Sequence, residues 1–154
     1  MVERLKFNNL TMTLYAVICV IENKSRIDLL RLSILTALLQ DESVTNALNN
    51  TEESPSFANL RVVSRYMMAN FNKRFYNTLP LVVNSLSMLL DARCINIENG
   101  EVASNERMES FSVSDKDIQK GNAASKIKKA APKLLAIAED VSTKKMVQQL
   151  NILI

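Results

Sequence analysis

Six lysines fall between positions 116 and 133 (Lys116, Lys120, Lys126, Lys128, Lys129 and Lys133), against a single acid, Asp117. The stretch therefore carries a local formal charge of +5, six minus one, while the whole 154-residue chain carries only +3. The chemistry that suits such a block is contact with a phosphate backbone, which ignores base sequence and weakens with salt. Lys126, Lys128, Lys129 and Lys133 are the candidate DNA-backbone contacts. A solvated helix face is the competing explanation, because no arginines or aromatics are interleaved with these lysines.

Other chemistry is hard to build from this chain. It contains no histidine, which removes the commonest general base, the usual partner of a nucleophilic serine or cysteine, and the imidazole metal ligand. Cys19 and Cys94 lie far apart in apolar sequence and read as buried thiols of an intracellular protein. Gly100 and Gly121 stand alone, so no glycine-rich phosphate loop is present. The acidic pairs Asp41-Glu42 and Glu52-Glu53 lie in loop-like sequence and read as solvated side chains. No catalytic residue, no metal site and no cofactor is expected.

The elements that must position the lysines are mostly helical. Hydrophobic residues make up 47% of the chain and charged residues 23%, a globular balance, and only two glycines and three prolines are present. That composition suits helices on short polar links better than a turn-rich sandwich or barrel. The expected fold class is mainly α, one compact domain over residues 1–154, with a polar loop near 49–56 and a basic helical part over 114–154. The uncharged runs Phe7 to Ile21 and Phe75 to Leu90 fall short of the roughly 20 residues that a spanning helix needs, so no membrane contact is expected. Charged residues Glu3, Arg4 and Lys6 precede an apolar run without a small-residue cleavage site, and a cytoplasmic location is the expectation.

Along the chain, Leu14, Val17, Ile18 and Ile21 have helical spacing. Ser25 with Asp28 resembles a capping box that opens the helix IDLLRLSILTALL, apolar nearly all round and therefore central. Asp41 to Asn50 predicts a short helix, and Pro55 fits the first turn of the next. Phe57 to Phe71 is amphipathic, with Leu60, Val63, Met67 and Phe71 on one face, followed by a link near Asn77-Thr78. Asn105 to Ser114 reads as loop or irregular strand. Ser114 with Asp117 offers another capping box, Gly121 and Pro132 predict interruption of the C-terminal helix, and Ser142 caps a last one.

The segment Phe75 to Val102 carries the strongest local signal. Leu79, Val82, Val83, Leu86, Leu89 and Leu90 repeat at i, i+3, i+4, i+7, and Asn99-Gly100 then separates two β-type runs, Ile95-Glu98 and Glu101-Ser104. A helix feeding a β-hairpin is the local shape of a winged helix. Its polar side offers Asn84, Ser85, Ser87 and Asp91 with Arg93 at the far end, and Glu98 and Glu101 flank the wing tip. Base reading needs cations and amides along that helix, and phosphates repel acids, so these charges favour docking on protein.

Three segments taken in order, RIDLLRLSILTALLQDESV, FNKRFYNTLPLVVNSLSMLLDARCINIENGEV and NAASKIKKAAPKLLAIAED, resemble the LmuC-like middle component of bacterial three-component ABC (Lamassu) defence systems. The likeness runs from about Phe7 to Ile152, and its polar marks are Asn72, Arg74, Phe75 and the Lys126 to Lys133 block. It implies a small non-enzymatic accessory subunit that bridges an SMC-like coiled-coil ATPase and a nuclease-type effector in a complex that senses foreign DNA. ATP chemistry and cutting would belong to the partners. The alternatives are a winged-helix DNA-binding regulator and an antitoxin or immunity protein.

Overall fold

The computed structural model describes residues 2–50, 55–63, 70–110 and 123–153. In chain order the elements are α1 (Val2–Asn23), β1 (Arg26–Asp28), α2 (Leu29–Leu39), α3 (Glu42–Asn50), α4 (Phe57–Val63) and α5 (Phe71–Asp91). The hairpin strands β2 (Ile95–Glu98) and β3 (Glu101–Ser104) follow, then a 3-10 turn (Glu106–Ser110), α6 (Ala123–Ala138) and α7 (Thr143–Gln149). The fold is mainly helical, with a small antiparallel sheet in the order β1-β3-β2.

Eight consecutive side chains of α2, Leu32 to Leu39, are buried. Each fully buried leucine or isoleucine is worth roughly 2 kcal/mol, well above the few tenths that separate helix propensities, so burial places this helix. It packs against α1, α5, α6 and α3. From α1 come Tyr15 to Ile21, a run without an exposed member, and from α5 come Phe71, Phe75, Val82, Leu86 and Leu89. Successive turns of α6 add Ala124, Ile127, Ala130, Ala131 and Leu134. Its three alanines let that helix approach closely.

The start of α2 differs from the capping box expected of Ser25 and Asp28. Residues 26–28 form a strand, with Ile27 paired to Val102 of β3, and Ser104 N donates to Ser25 O at 2.9 Å. Asp28 is itself the N-cap, its Oδ1 accepting from Leu30 N and Arg31 N at 3.0 and 3.3 Å. Sheet pairing shifts the cap by three residues, because Ser25 cannot cap while its neighbours are extended. Asp28 Oδ2 accepts from Thr143 Oγ1 at 2.7 Å, so one carboxylate joins strand, helix and C-terminal segment.

In α5 the expected link at Asn77-Thr78 is absent. The helix runs unbroken through Pro80, whose ring lies on the exposed side, where the carbonyl it leaves unbonded can meet water. Likewise α6 continues through the exposed Pro132. The inner face of α5 is also narrower than its apolar pattern: Val83 and Leu90 are 59% and 40% exposed. Ser85, expected outside, is buried, its hydroxyl donating to Leu81 O at 2.7 Å. Asn49 and Asn50, placed in the polar loop, are the last turn of α3, and Pro55 precedes the cap residue Ser56 of α4, so it lies before the first turn. Glu52, Glu53, Met67 and the Ser114-Asp117 box lie outside the described residues.

Two helices end by the same device. At the end of α5, Cys94 N donates to Leu89 O and Arg93 N to Leu90 O, both at 2.9 Å, with Arg93 at φ 60°. After α7, Ile152 N donates to Val147 O at 3.0 Å and Asn151 N to Gln148 O at 3.3 Å, with Asn151 at φ 55°. These are Schellman stops, each turning the chain so that the next apolar residue, Cys94 or Ile152, goes inward. The hairpin turn needs positive φ at both central residues, and Asn99 (φ 53°) with Gly100 (φ 76°) supplies it.

Leu86 is 4% exposed in the core. Leu86→Asp buries an unpaired charge at a cost of several kcal/mol, comparable to the whole stability of a small domain. We expect loss of the cooperative urea transition followed by circular dichroism, and a folded, cooperative variant would overturn the placement of α5. Arg93→Gly relieves a left-handed residue worth about 1 kcal/mol, and its urea midpoint should rise. A lower midpoint would show that the arginine side chain makes a contact the fold needs.

Candidate functional site

The four candidate lysines occupy α6 and divide into two kinds. Lys126 Nζ lies 3.2 Å from Glu42 Oε1, and Lys133 Nζ donates to Leu48 O at 3.3 Å, so both reach across to α3. Asn49 Nδ2 reinforces the junction by donating to Lys126 O at 3.1 Å. Lys128 and Lys129, by contrast, are exposed on the outer face of α6. The helical period explains the division, since Lys126 and Lys133 are seven residues, about two turns, apart and flank the buried stripe. Lys116 and Lys120 lie outside the described residues.

Of the carboxylates expected in solvent, Asp41 serves the fold instead, whereas Glu42 is exposed as expected. Asp41 is 3% exposed. Its Oδ1 caps α3, accepting from Ser43 N at 3.0 Å and Ser43 Oγ at 2.6 Å, while Oδ2 lies 3.0 Å from Arg74 Nη1 of α5. This second contact is an ion pair without hydrogen-bond alignment. Spacing alone does not reveal it, because the partners are 33 residues apart. Glu42 faces Lys126 and is otherwise exposed.

The polar marks Asn72, Arg74 and Phe75 have structural surroundings. Phe75 is buried beside Phe71, with ring centroids 6.4 Å apart. Asn72 Oδ1 accepts from Leu153 N at 2.8 Å, and the Tyr76 hydroxyl donates to Leu153 O, so α5 holds the C-terminal tail. The other end of that tail segment is held by Arg31, whose Nη1 donates to Val141 O at 2.6 Å and whose Nη2 donates to Ala138 O. Burial pulls the proton affinity of this guanidinium down, and nearby Asp28 opposes the change.

What remains for an external partner is the outer side of α5 and the hairpin. Between Lys73 and Arg93 the exposed residues of α5 are Tyr76, whose hydroxyl is held by Leu153, with Pro80, Val83, Met88 and Leu90, and the polar Asn77, Asn84, Ser87 and Asp91. Arg74, the other cation of the helix, turns towards Asp41. At the hairpin, Glu98 is exposed and Glu101 lies 3.5 Å from Arg26. Ile97, on the free edge of the sheet, is 39% exposed. Shallow pockets open on the surface among the described residues. One of about 470 Å³ lies between α1, α3 and α6, beside the Glu42–Lys126 pair. Among the described residues no three acids or thiols converge as a metal site, and no helix is long and apolar enough to cross a membrane.

Both cysteines are buried and unbridged. Burial is the main cause that pushes the Cys19 thiol from its ordinary value near 9 up to about 11; Glu22 adds to the shift, while a Tyr15 hydrogen bond and Lys128 oppose it. The folded state thus holds the proton more tightly than the unfolded state. Stability present below about pH 9 must fall as the pH rises towards 11. Cys19→Ala should flatten that decline in urea midpoints between pH 8 and 10.5, whatever its baseline. Equal slopes in the two proteins would assign the decline to other groups.

No family model, no curated protein and no solved structure matches this chain.

Proposed function

We propose that this chain is a non-enzymatic adaptor subunit of an SMC-like ATPase complex of the Lamassu type, bridging the coiled-coil ATPase and a nuclease-type effector in defence against phages and plasmids. The identity of the complex rests on the sequence resemblance. One structural observation supports the docking half of the reading. The helix that precedes the hairpin presents Tyr76, Val83, Met88 and Leu90 outward, at 40 to 59% exposure, and carries no outward cation between Lys73 and Arg93. The exposed amide side chains there that can bond a base edge directly are Asn77 and Asn84, with no cation beside them, a thin supply for a base-reading winged helix. Exposed apolar side chains in one region instead mark contact with protein.

DNA enters this reading as a non-specific contact made within the assembly. Lys128 and Lys129 project from α6 away from the core, whereas Lys126 and Lys133 are engaged with α3. Two exposed lysines supply a weak, salt-sensitive attraction rather than site recognition.

Expressed beside its genetic neighbours, the chain should co-purify stoichiometrically with an SMC-like ATPase, and alone it should show neither ATPase nor nuclease activity. Failure to bind any such neighbour would remove the proposal. A Lys128→Glu/Lys129→Glu variant should keep its circular dichroism and urea midpoint, because both positions are exposed, while DNA affinity of the assembled complex drops severalfold at low salt. Unchanged affinity would leave these lysines as a solvated face.

A further inference from the structure

The outward side of α5 has a spacing that its inward side does not require. Tyr76, Pro80, Val83, Ser87 and Leu90 follow one another at intervals of four, three, four and three residues, the repeat of a helix-pairing seam. At 100° per residue they fall within an arc of about 80°, and all five are exposed, Tyr76 leaving its ring on the seam while its hydroxyl bonds Leu153 O. Ser87 is the polar member and Val83, 59% exposed, is the central one.

Charge at the two ends of this seam indicates what covers it. Lys73 and Asp91 are eighteen residues apart, five whole helical turns, and therefore lie on the same edge of the seam. Both are exposed, and neither has an ion-pair partner among the described residues. Their midpoint, position 82, falls within one residue of Val83, the midpoint of the seam. One antiparallel register of two identical helices thus brings seam against seam and sets each Lys73 beside the Asp91 of the other copy. A parallel pair would put each Lys73 at the opposite end of the interface from the other copy's Asp91, so these charges could not pair. We propose that the outer face of α5 is a two-fold symmetric interface occupied by a second copy of this chain, its helix antiparallel.

Such an interface is self-complementary, as a closed dimer demands. It rests on the reading of this face as protein-docking rather than base-reading, and leaves the hairpin tip and the outer face of α6 to other partners.

Light scattering and sedimentation equilibrium on the full chain test the proposal. The wild-type protein should have twice the chain mass at micromolar concentration. Val83→Glu should be monomeric with unchanged circular dichroism, because the position is exposed. Lys73→Asp and Asp91→Lys should each weaken dimerisation about tenfold or more, and the double exchange should restore it, an outcome that mere surface stickiness does not produce. A monomeric wild type, or a dimer indifferent to Val83→Glu, overturns the proposal; so does failure of the double exchange to rescue. A monomer that still captures an SMC-like neighbour sinks the dimer and spares the adaptor, whereas a dimer without such a neighbour does the reverse.

Discussion

The structure depends on hiding one helix. Because Leu32 to Leu39 are all withdrawn from solvent, α2 has no outer side, and α1, α3, α5 and α6 are arranged as its cover. Its two buried hydroxyls meet that burial differently. Ser33 returns its hydroxyl to Leu29 O at 2.9 Å, whereas the buried hydroxyl of Thr36 has no hydrogen-bond partner among the described residues. Polar connections then tie the cover together at its edges: Asp28 to Thr143, Arg31 to the end of α6, Asp41 to Arg74, and Lys126 to Glu42. Most of these join a residue near α2 or α3 to one far along the chain, so the C-terminal segment completes the layer begun by α1.

Covering α2 also decides which charges are left to face a partner. A helix that supplies Phe71, Phe75, Val82, Leu86 and Leu89 to the core turns its remaining side outward by geometry, and in α5 that side is apolar along one stripe. Arg74 is turned towards a buried carboxylate, and two lysines of α6 are engaged with α3. The cations expected to meet phosphates are thus reduced to Lys128 and Lys129 among the described part of the basic block. The charge that makes the sequence look fit for DNA is partly engaged with α3 at the surface, and the face of α5 that remains is better suited to protein.

Legibility followed the range of the interaction. The hairpin was readable to the residue, because Asn99-Gly100 sets its turn through backbone conformations that few residues adopt. The central helix was readable from its unbroken apolar run, and the last helix from Ser142, whose Oγ accepts from Lys145 N at 3.1 Å. By contrast β1, three residues long, shows no periodicity and forms only because β3 lies beside it. Asp41 looked like a solvated loop acid for a similar reason, its arginine being on a different helix. Ser85, Val83 and Leu90 were misplaced because the apolar repeat of α5 is wider than the surface that α1 and α2 offer it.

The amino-acid sequence by itself determined the mainly helical class, the helix leading into a hairpin, the burial of α2 and the position of the positive charge along the chain. Each follows from patterns spanning a few turns or fewer, where the backbone alone relates one side chain to the next. Only the tertiary structure decided which lysines stay exposed, which carboxylate is buried, and that α5 keeps an apolar stripe outside. These are matters of competition for a limited interior, and that interior exists only once distant segments have packed.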